Sequence, residues 1–329
     1  LNKPTVLVVG GAGYIGSHTC KALNLKGYNP VVFDNLSTGF KDLVKWGELY
    51  IGDILNMSEI KNAIDKYQPK AIIHFAAFAY VGESVTNPSK YYKNNVVGSL
   101  NLIDVCKNEG NIPIVFSSTC ATYGEPQRIP ITEDHPQNPI NPYGFSKLIV
   151  EKILEDYANA YGLSSIRLRY FNAAGADFDL QTGEKHNPET HLIPLTIMAA
   201  LDPSHSIKVF GTDYPTPDGT GIRDYIHILD LAEAHILALE KLLNYKGHGF
   251  SEFYNLGNGN GFLVIETIEE VKKISGNPIR VINEGRREGD PAILIGSSDK
   301  IKKELGWQPK YDQISKIIES AFTWHKRYG

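Results

Sequence analysis

Tyr143 and Lys147 stand four residues apart in the run Asn141-Pro-Tyr-Gly-Phe-Ser-Lys147, so a helix would project both side chains from one face. A phenol that titrates near ~10 is a poor base at neutral pH. A lysine ammonium held beneath it would favour the phenolate and lower that value. Upstream, Thr119 lies in the run Ser117-Ser-Thr-Cys120, and its hydroxyl could bond the same oxygen that Tyr143 deprotonates. A base, a group that tunes it and a hydrogen-bonding partner are what oxidation of a carbinol to a carbonyl requires. By itself a Tyr-x-x-x-Lys pair is ordinary on a solvent-facing helix, so the surrounding elements must decide.

Thr5-Val-Leu-Val-Val9 is a continuous apolar run, the pattern of a strand buried on both faces. It leads into Gly10-Gly-Ala-Gly13-Tyr-Ile-Gly16 and a helical stretch to about Lys26. A second run, Pro30-Val-Val-Phe33, stops at Asp34, roughly twenty residues beyond the glycines. Strand, glycine turn, helix, strand and acid in this order form a dinucleotide-binding pattern. The glycines let backbone amides approach a pyrophosphate at the helix N-terminus. The acid accepts from the adenosine ribose 2′-OH, which favours NAD over NADP. A bound nicotinamide cation would then add to Lys147 in favouring the Tyr143 phenolate.

The alternation continues. Leu49-Tyr-Ile51 reads as a strand ending at Gly52-Asp53-Ile54, Met57 to Tyr67 as a helix, and Ala71-Ile-Ile-His-Phe75 as a fourth strand before Ala76 and Ala77. A long helix is predicted from about Pro88 to Asn108, carrying Asn94 and Asn95. Ile114-Val-Phe116 is the fifth strand, with Ser117 to Thr119 at its C-terminal end; strand alternation puts Ser117 and Thr119 on one face and Ser118 on the other. The helix from Pro142 to about Tyr161 has proline where it is tolerated, and Arg167-Leu-Arg-Tyr170 is a sixth strand. The fold class is therefore α/β, a Rossmann-type doubly wound parallel sheet. Ligands bind beyond the C-terminal ends of such strands, which puts the glycine turn, Asp34, Asp53, Phe75 and Thr119 on one edge.

After Asn172 the texture changes. Residues 177 to 190 are polar and read as a loop into a smaller C-terminal α/β substrate domain. Helices are expected at Leu192–Leu201, 228–243, 264–274 and 313–328, with strands at Ile207–Phe210 and 253–256. The expected division is 1–172 for the nucleotide-binding domain, with part of 217–245 returning to it, and 173–329 mainly for the substrate domain.

At 329 residues and 36.5 kDa the chain exceeds one comfortable core. Its 42% hydrophobic and 21% charged residues are those of a globular protein. Lys+Arg 33 against Asp+Glu 37 gives a net charge of −4, with no basic block to hold nucleic acid. No apolar run approaches the ~20 residues of a membrane span. The first strand starts by Thr5, which leaves no room for a signal peptide, although an opening Leu1 implies that a residue or more precedes it. Cys20, Cys106 and Cys120 are few, odd in number and without metal-ligand spacing, which suits a reducing cytoplasm. His186, His191 and His227 likewise lack metal-ligand spacing, so no metal is expected.

In combination these features resemble the extended short-chain dehydrogenase/reductase superfamily and, within it, the UDP-glucose (UDP-galactose) 4-epimerases. The likeness runs from Gly10 to Trp307, and its least generic blocks are Val81-Gly-Glu-Ser84, Arg169-Tyr-Phe-Asn172, Gly221-Ile-Arg-Asp-Tyr-Ile-His227, Tyr254-Asn-Leu-Gly257 and Arg286-Arg-Glu-Gly-Asp290. The resemblance implies interconversion of UDP-galactose and UDP-glucose. Tyr143 would take the 4-hydroxyl proton while C4 passes hydride to NAD⁺, and the 4-ketose would turn over about its diphosphate tether and receive hydride on the opposite face. Binding energy must then sit on the nucleotide, because a clamped sugar could not turn. By the same resemblance NAD is held by Gly10, Gly13, Tyr14, Ile15, Gly16, Asp34, Asn35, Asp53, Ile54, Phe75, Ala76, Asn95, Tyr143, Lys147 and Tyr170. Arg223 and Arg286 or Arg287 would hold the diphosphate, with Arg287 at the family's phosphate position. Asp290 would bind the uridine ribose, Asn172, His191, Leu192 and Tyr225 the UDP-sugar, and the backbone around Lys208 and Phe210 the uracil. A homodimer through the Pro88 and Pro142 helices is also implied.

Three positions depart from the family pattern. Thr119 stands where many members have serine, keeping the hydroxyl but restricting its rotamer. Phe75-Ala-Ala-Phe-Ala79 lacks a lysine that many members place after this strand, which implies weaker cofactor retention. Leu294 stands at a position tied to acceptance of UDP-N-acetylhexosamines, intermediate between the bulky and small residues found there. Other readings fare worse. A nucleotide-sugar dehydratase needs an acid pair after the strand-five threonine, where this chain has Cys120-Ala121. An NADP-dependent reductase would need a basic residue rather than Asp34. A non-enzymatic dinucleotide sensor has no use for Tyr143, Lys147 and Thr119 together.

Overall fold

The computed structural model describes residues 3–287 and 290–329. Glu288 and Gly289 of the Arg-Arg-Glu-Gly-Asp block lie outside the described residues. The chain begins with β1 (Thr5–Val9), α1 (Tyr14–Leu25), β2 (Asn29–Asp34), β3 (Glu48–Ile51), α2 (Met57–Tyr67) and β4 (Ala71–His74). β5 (Ile114–Thr119) and β6 (Ser165–Tyr170) follow, separated by the Pro142–Tyr161 helix. Among the described residues the largest sheet has seven strands, in the order Ser251–Leu256, β6, β5, β4, β1, β2, β3, and every neighbouring pair is parallel. β1 lies between β4 and β2, so the chain runs outward in opposite directions from that point. The crevice between β1 and β4 is the topological switch point, where such sheets bind ligands.

Both faces of the sheet are covered, which is why its strands read as continuous apolar runs. Period-two alternation sends Val6, Val8 and Val115 into one core layer and Leu7, Val9, Ile114 and Phe116 into the other. The first layer packs beneath α1 and the helix Ile228–Asn244; the second beneath α2 and the helices Ser99–Asn108 and Pro142–Tyr161. The Ile228 helix and the strand Ser251–Leu256 thus extend the large sheet from far along the sequence.

The predicted long helix from Pro88 to Asn108 is continuous but not uniform. It is α-helical at Pro88–Tyr91, π-helical at Tyr92–Gly98 and α-helical again at Ser99–Asn108. The wide turn contains Asn94 and Asn95, and such bulges recur at functional sites. A close approach accompanies it at Gly98, where a Cβ would come within 2.6 Å of the Ile54 side chain.

The remaining chain builds a smaller layer beside the C-terminal strand edge. Helices Leu192–Leu201, Val264–Ser275 and Ile314–Tyr328 bury Ile193, Ile197, Val271, Ile317 and Ile318 against one another. Short strand pairings that the sequence pattern did not reveal join this layer: Asn172–Ala174 with Tyr225–His227, Ile207–Phe210 with Val281–Glu284, and Ile222–Arg223 between Phe262–Leu263 and Ile293–Leu294. At two to four residues, most are too short to show a period. Among the described residues no helix is long and apolar enough to cross a membrane.

Candidate active site

The glycine turn after β1 is built for a close backbone approach. Gly10 has φ +82°, and a Cβ there would lie 2.5 Å from the Ala76 amide nitrogen across the switch point; at Gly16 it would lie 2.4 Å from the Gly10 carbonyl oxygen. α1 starts at Tyr14 with Gly13 as its N-cap, no side-chain cap and no acid in its first turn. Its first N–H groups are therefore available to an anion, which the helix dipole also favours. Asp34 ends β2 facing this turn and is 8% exposed. Its Oδ2 accepts from the Ala12 amide at 3.0 Å and its Oδ1 from the Leu36 amide at 2.8 Å. Burial raises its pKa, and those two amides oppose the rise. Each oxygen keeps a lone pair for a ribose hydroxyl, while a 2′-phosphate would meet a carboxylate. A cleft lined by Gly10, Gly13, Asp34, Asn35, Ile54 and Ala76 runs between these elements. The residues fit a dinucleotide, NAD in particular.

Several expected cofactor residues sit behind this cleft. The Asp53 carboxylate is engaged by Asn35 Nδ2 at 3.0 Å and the Leu55 amide at 2.8 Å, so it orients Asn35. Asn95 is buried, with Oδ1 accepting from the Phe78 amide and Nδ2 donating to the Phe78 carbonyl, both at 2.9 Å. It clamps the loop after β4. The Tyr14 hydroxyl donates to the Gly175 carbonyl, and Ile15 packs on the sheet core. Phe75 packs on His235 with ring centroids 4.8 Å apart, and the Tyr170 hydroxyl meets that of Ser117.

Asn141 caps the Pro142–Tyr161 helix, its Oδ1 accepting from the Gly144 amide at 2.8 Å. At Gly144 a Cβ would lie 2.4 Å from the Ala121 carbonyl oxygen, so the helix start seats directly on the end of β5. That seating brings Tyr143 to Thr119. Thr119 Oγ1 accepts from the Ala121 amide at 3.1 Å, which leaves its O–H free to donate forward. The Ser117 and Ser118 hydroxyls are occupied on opposite faces by Tyr170 and Glu151, as alternation requires.

The electrostatics differ from the sequence expectation. Lys147 is 3% exposed, and its Nζ donates to the Ser117 carbonyl at 2.8 Å and sits 4.8 Å from the Phe116 ring centroid. Burial drives its pKa down to about 7, opposed by Glu151. Tyr143 is pushed up to about 12 by burial, with the Thr119 hydroxyl acting in the opposite direction. In the protein alone, then, Lys147 does not depress the phenol. Loss of hydration favours the neutral phenol in the protein alone.

Glu151 was not foreseen, although it lies four residues beyond Lys147 on the same helix. It is 1% exposed and forms a buried pair with Arg169, whose Nε donates to its two oxygens at 2.9 and 3.1 Å. Asp224 was also missed as a node. Its side chain accepts from the amides of Asn258, Gly259 and Gly296, and its carbonyl from Asn172 Nδ2 at 3.0 Å. That knot fixes Arg223 and Tyr225 on either side and joins two of the distinctive sequence blocks, through Asn172 and Asp224 itself.

Arg223 donates to the Asp290 carboxylate. Arg286 is drawn away, pairing with Asp213 at 2.8 Å and stacking on Tyr214. Arg287 stacks on Phe210 at 3.8 Å and has no ion-pair partner among the described residues; burial lowers its pKa, and Arg223 lowers it further. Burial raises the pKa of the Cys120 thiol, next to Thr119, and the Arg223 charge opposes the rise. Leu294 packs with Cys120, Tyr123 and Phe171, and Leu192 lies in the core beside Tyr225. Lys208 pairs with Glu284 at 3.0 Å. His191 points elsewhere, toward Glu184 and Glu189. His227 bonds Ser320, while His186 and His191 meet those two glutamates.

Comparison with known proteins agrees with this geometry. The chain is 54% identical over 323 residues to a UDP-glucose 4-epimerase of Rhizobium leguminosarum bv. trifolii, covering 98% of both chains. It superposes on the crystal structure of UDP-glucose 4-epimerase from Brucella ovis in complex with NAD with a TM-score of 0.94, 50% identity and 98% of each chain covered. The corresponding structure from Bifidobacterium longum in complex with NAD+ and UDP gives 0.92, with 36% identity and 98% of each chain covered. Residues 6–257, from β1 to just past the last strand of the large sheet, match one family throughout. With an NAD cradle at the switch point and a Tyr/Lys/Thr strip beside it, the chain belongs to the NAD dependent epimerase/dehydratase family.

Proposed function

We propose that this chain is a UDP-glucose 4-epimerase that interconverts UDP-galactose and UDP-glucose by transient oxidation at sugar C4. The observation that supports the reading is the Thr119 hydroxyl bonded to the buried Tyr143 phenol, with Arg223, paired to Asp290, acting on the Cys120 thiol next to Thr119. NAD, held by Gly10, Gly13, Gly16 and Asp34, supplies a hydride acceptor and donor for C4. Tyr143 Oη holds and moves the 4-hydroxyl proton, and the Thr119 O–H donates to the same oxygen. Lys147 completes the strip, with its ammonium anchored on the Ser117 carbonyl. Arg223 and Arg287 grip the diphosphate, and Asp290 grips the uridine ribose. Strong contacts on the nucleotide and few on the sugar leave the 4-ketose free to turn over before hydride returns. Leu294, beside Cys120, is the residue on which acceptance of N-acetylated UDP-sugars depends.

The chain works as a homodimer through the helices that start at Pro88 and Pro142, where Val97 and Phe145 are 47% and 46% exposed. A cytoplasmic location fits three unpaired cysteines. To test the reading, purified protein is incubated with UDP-galactose and no added cofactor, and the UDP-sugars are separated. UDP-glucose formed catalytically without net NADH is the expected result. Absence of conversion, with NAD supplied as well, would overturn it. The same assay with UDP-N-acetylgalactosamine reads the substrate range.

A further inference from the structure

The loop before the Leu192–Leu201 helix carries a cluster that hydride chemistry does not use. Glu184, His186, Glu189 and His191 each offer one ligand atom, all within 4.8 Å of one another. His191 Nδ1 lies 2.9 Å from Glu184 Oε1 and 2.9 Å from Glu189 Oε1. His186 Nδ1 lies 3.3 Å from Glu184 Oε1 and 3.3 Å from Glu189 Oε2. An imidazole Nδ1 carries at most one hydrogen, which points well at one acceptor. Each nitrogen here faces two carboxylate oxygens at equal distance, an arrangement that one N–H cannot satisfy.

Glu184 supplies an independent sign. Its side chain is 1% exposed, and its Oε1 accepts no hydrogen bond. A buried carboxylate oxygen without a well-aligned donor is costly unless it pairs with or coordinates a cation, and the two imidazole nitrogens within 3.3 Å of Glu184 Oε1 are placed to share one. Zinc binds imidazole nitrogen and carboxylate oxygen at about 2.0–2.2 Å with tetrahedral geometry, which sets ligand atoms roughly 3.3–3.6 Å apart. The observed 2.9–3.3 Å edges reach that spacing with outward shifts of a few tenths of an ångström. Calcium and magnesium prefer all-oxygen shells of higher coordination.

We propose that Glu184, His186, Glu189 and His191 form a zinc site. Four protein ligands close the coordination shell, so the role is structural rather than catalytic. The site lies where parts of the fold meet. The Trp324 indole on the last helix donates to the Glu184 carbonyl at 3.0 Å, and the Tyr80 hydroxyl, on the loop after β4, donates to the Pro188 carbonyl at 2.9 Å. Zinc therefore rivets the loop that leads from the cofactor-binding sheet to Leu192.

The test uses the untagged full chain, purified without chelator, exposed to zinc chloride and gel-filtered before metal analysis. About one zinc per chain is expected, with cobalt(II) giving the visible bands of a tetrahedral N/O site. Chelation should lower Tm, and zinc alone should restore it. Glu184→Gln and His186→Ala should each cut bound zinc at least fivefold. If either variant fails to fold, metal content and cobalt spectrum of the unaltered chain decide the matter. Substoichiometric zinc there, or full zinc in His186→Ala, would show that the cluster is a set of ion pairs and overturn the proposal.

Discussion

Lys147→Met should stabilise the cofactor-free protein while abolishing turnover. Burial lowers the Lys147 pKa from 10.5 to about 7. At about 1.4 kcal/mol per pH unit, that fall corresponds to a charging cost of about 5 kcal/mol. Methionine has a similar length and no charge. It forfeits the Nζ bond to the Ser117 carbonyl, worth roughly 1.5–3 kcal/mol for a charged donor. The net gain at pH 6 is therefore about 2–3 kcal/mol. The folded-state pKa lies below the unfolded one, so the cost is fully present below pH 7 and fades as pH rises toward 10.5. Urea unfolding of NAD-stripped protein should show the variant more stable at pH 6, with the advantage gone by about pH 9.5. A variant less stable at pH 6, or two curves running parallel with pH, would refute the burial argument. The expected pattern would mean that Lys147 is kept for chemistry at a cost to stability.

The other expectations concern its neighbours. Tyr143→Phe should retain NAD and lower kcat by about 10³-fold; a near-wild-type rate in the UDP-galactose assay would remove Tyr143 from the chemistry. Thr119→Ser should be mild and Thr119→Val should lower kcat roughly 10²-fold, because the Ser117 and Ser118 hydroxyls are already engaged and cannot substitute. Glu151→Gln leaves the buried Arg169 guanidinium without its carboxylate and should cost about 3–5 kcal/mol in denaturant unfolding; a loss under about 1 kcal/mol would mean the pair contributes little. Asp34→Ala should weaken NAD about tenfold or more relative to NADP, and an unchanged cofactor ratio by titration would contradict the ribose assignment.

Much of the fold was legible because its signals are local. Continuous apolar runs such as Thr5–Val9 announce strands covered on both faces, and proline at Pro142 with Asn141 before it marks a helix start. The glycine turn, Asp34 and the Tyr143/Lys147 pair depend on spacings of a few residues or on one βαβ unit. The short strands at Ile222–Arg223 and Ile293–Leu294 carry no such signal, since two residues cannot display a period. The π turn at Tyr92–Gly98 also escaped, because its composition is that of an ordinary helix.

The sequence alone thus determined the fold class and the cofactor, both set by short-range backbone and side-chain geometry, and it supplied the Tyr143, Lys147 and Thr119 strip that the proposed function uses. Tertiary structure decided the charge states and the partners. Burial among neighbouring elements lowers the Lys147 pKa and raises that of Tyr143, a property no spacing encodes. The Glu151–Arg169 pair, the Asp224 knot and the diversion of Arg286 by Asp213 each join residues distant in the chain. The gathering of Glu184, His186, Glu189 and His191 is local in sequence, yet only the path of the loop reveals it, since irregular backbone has no period from which side-chain directions can be read.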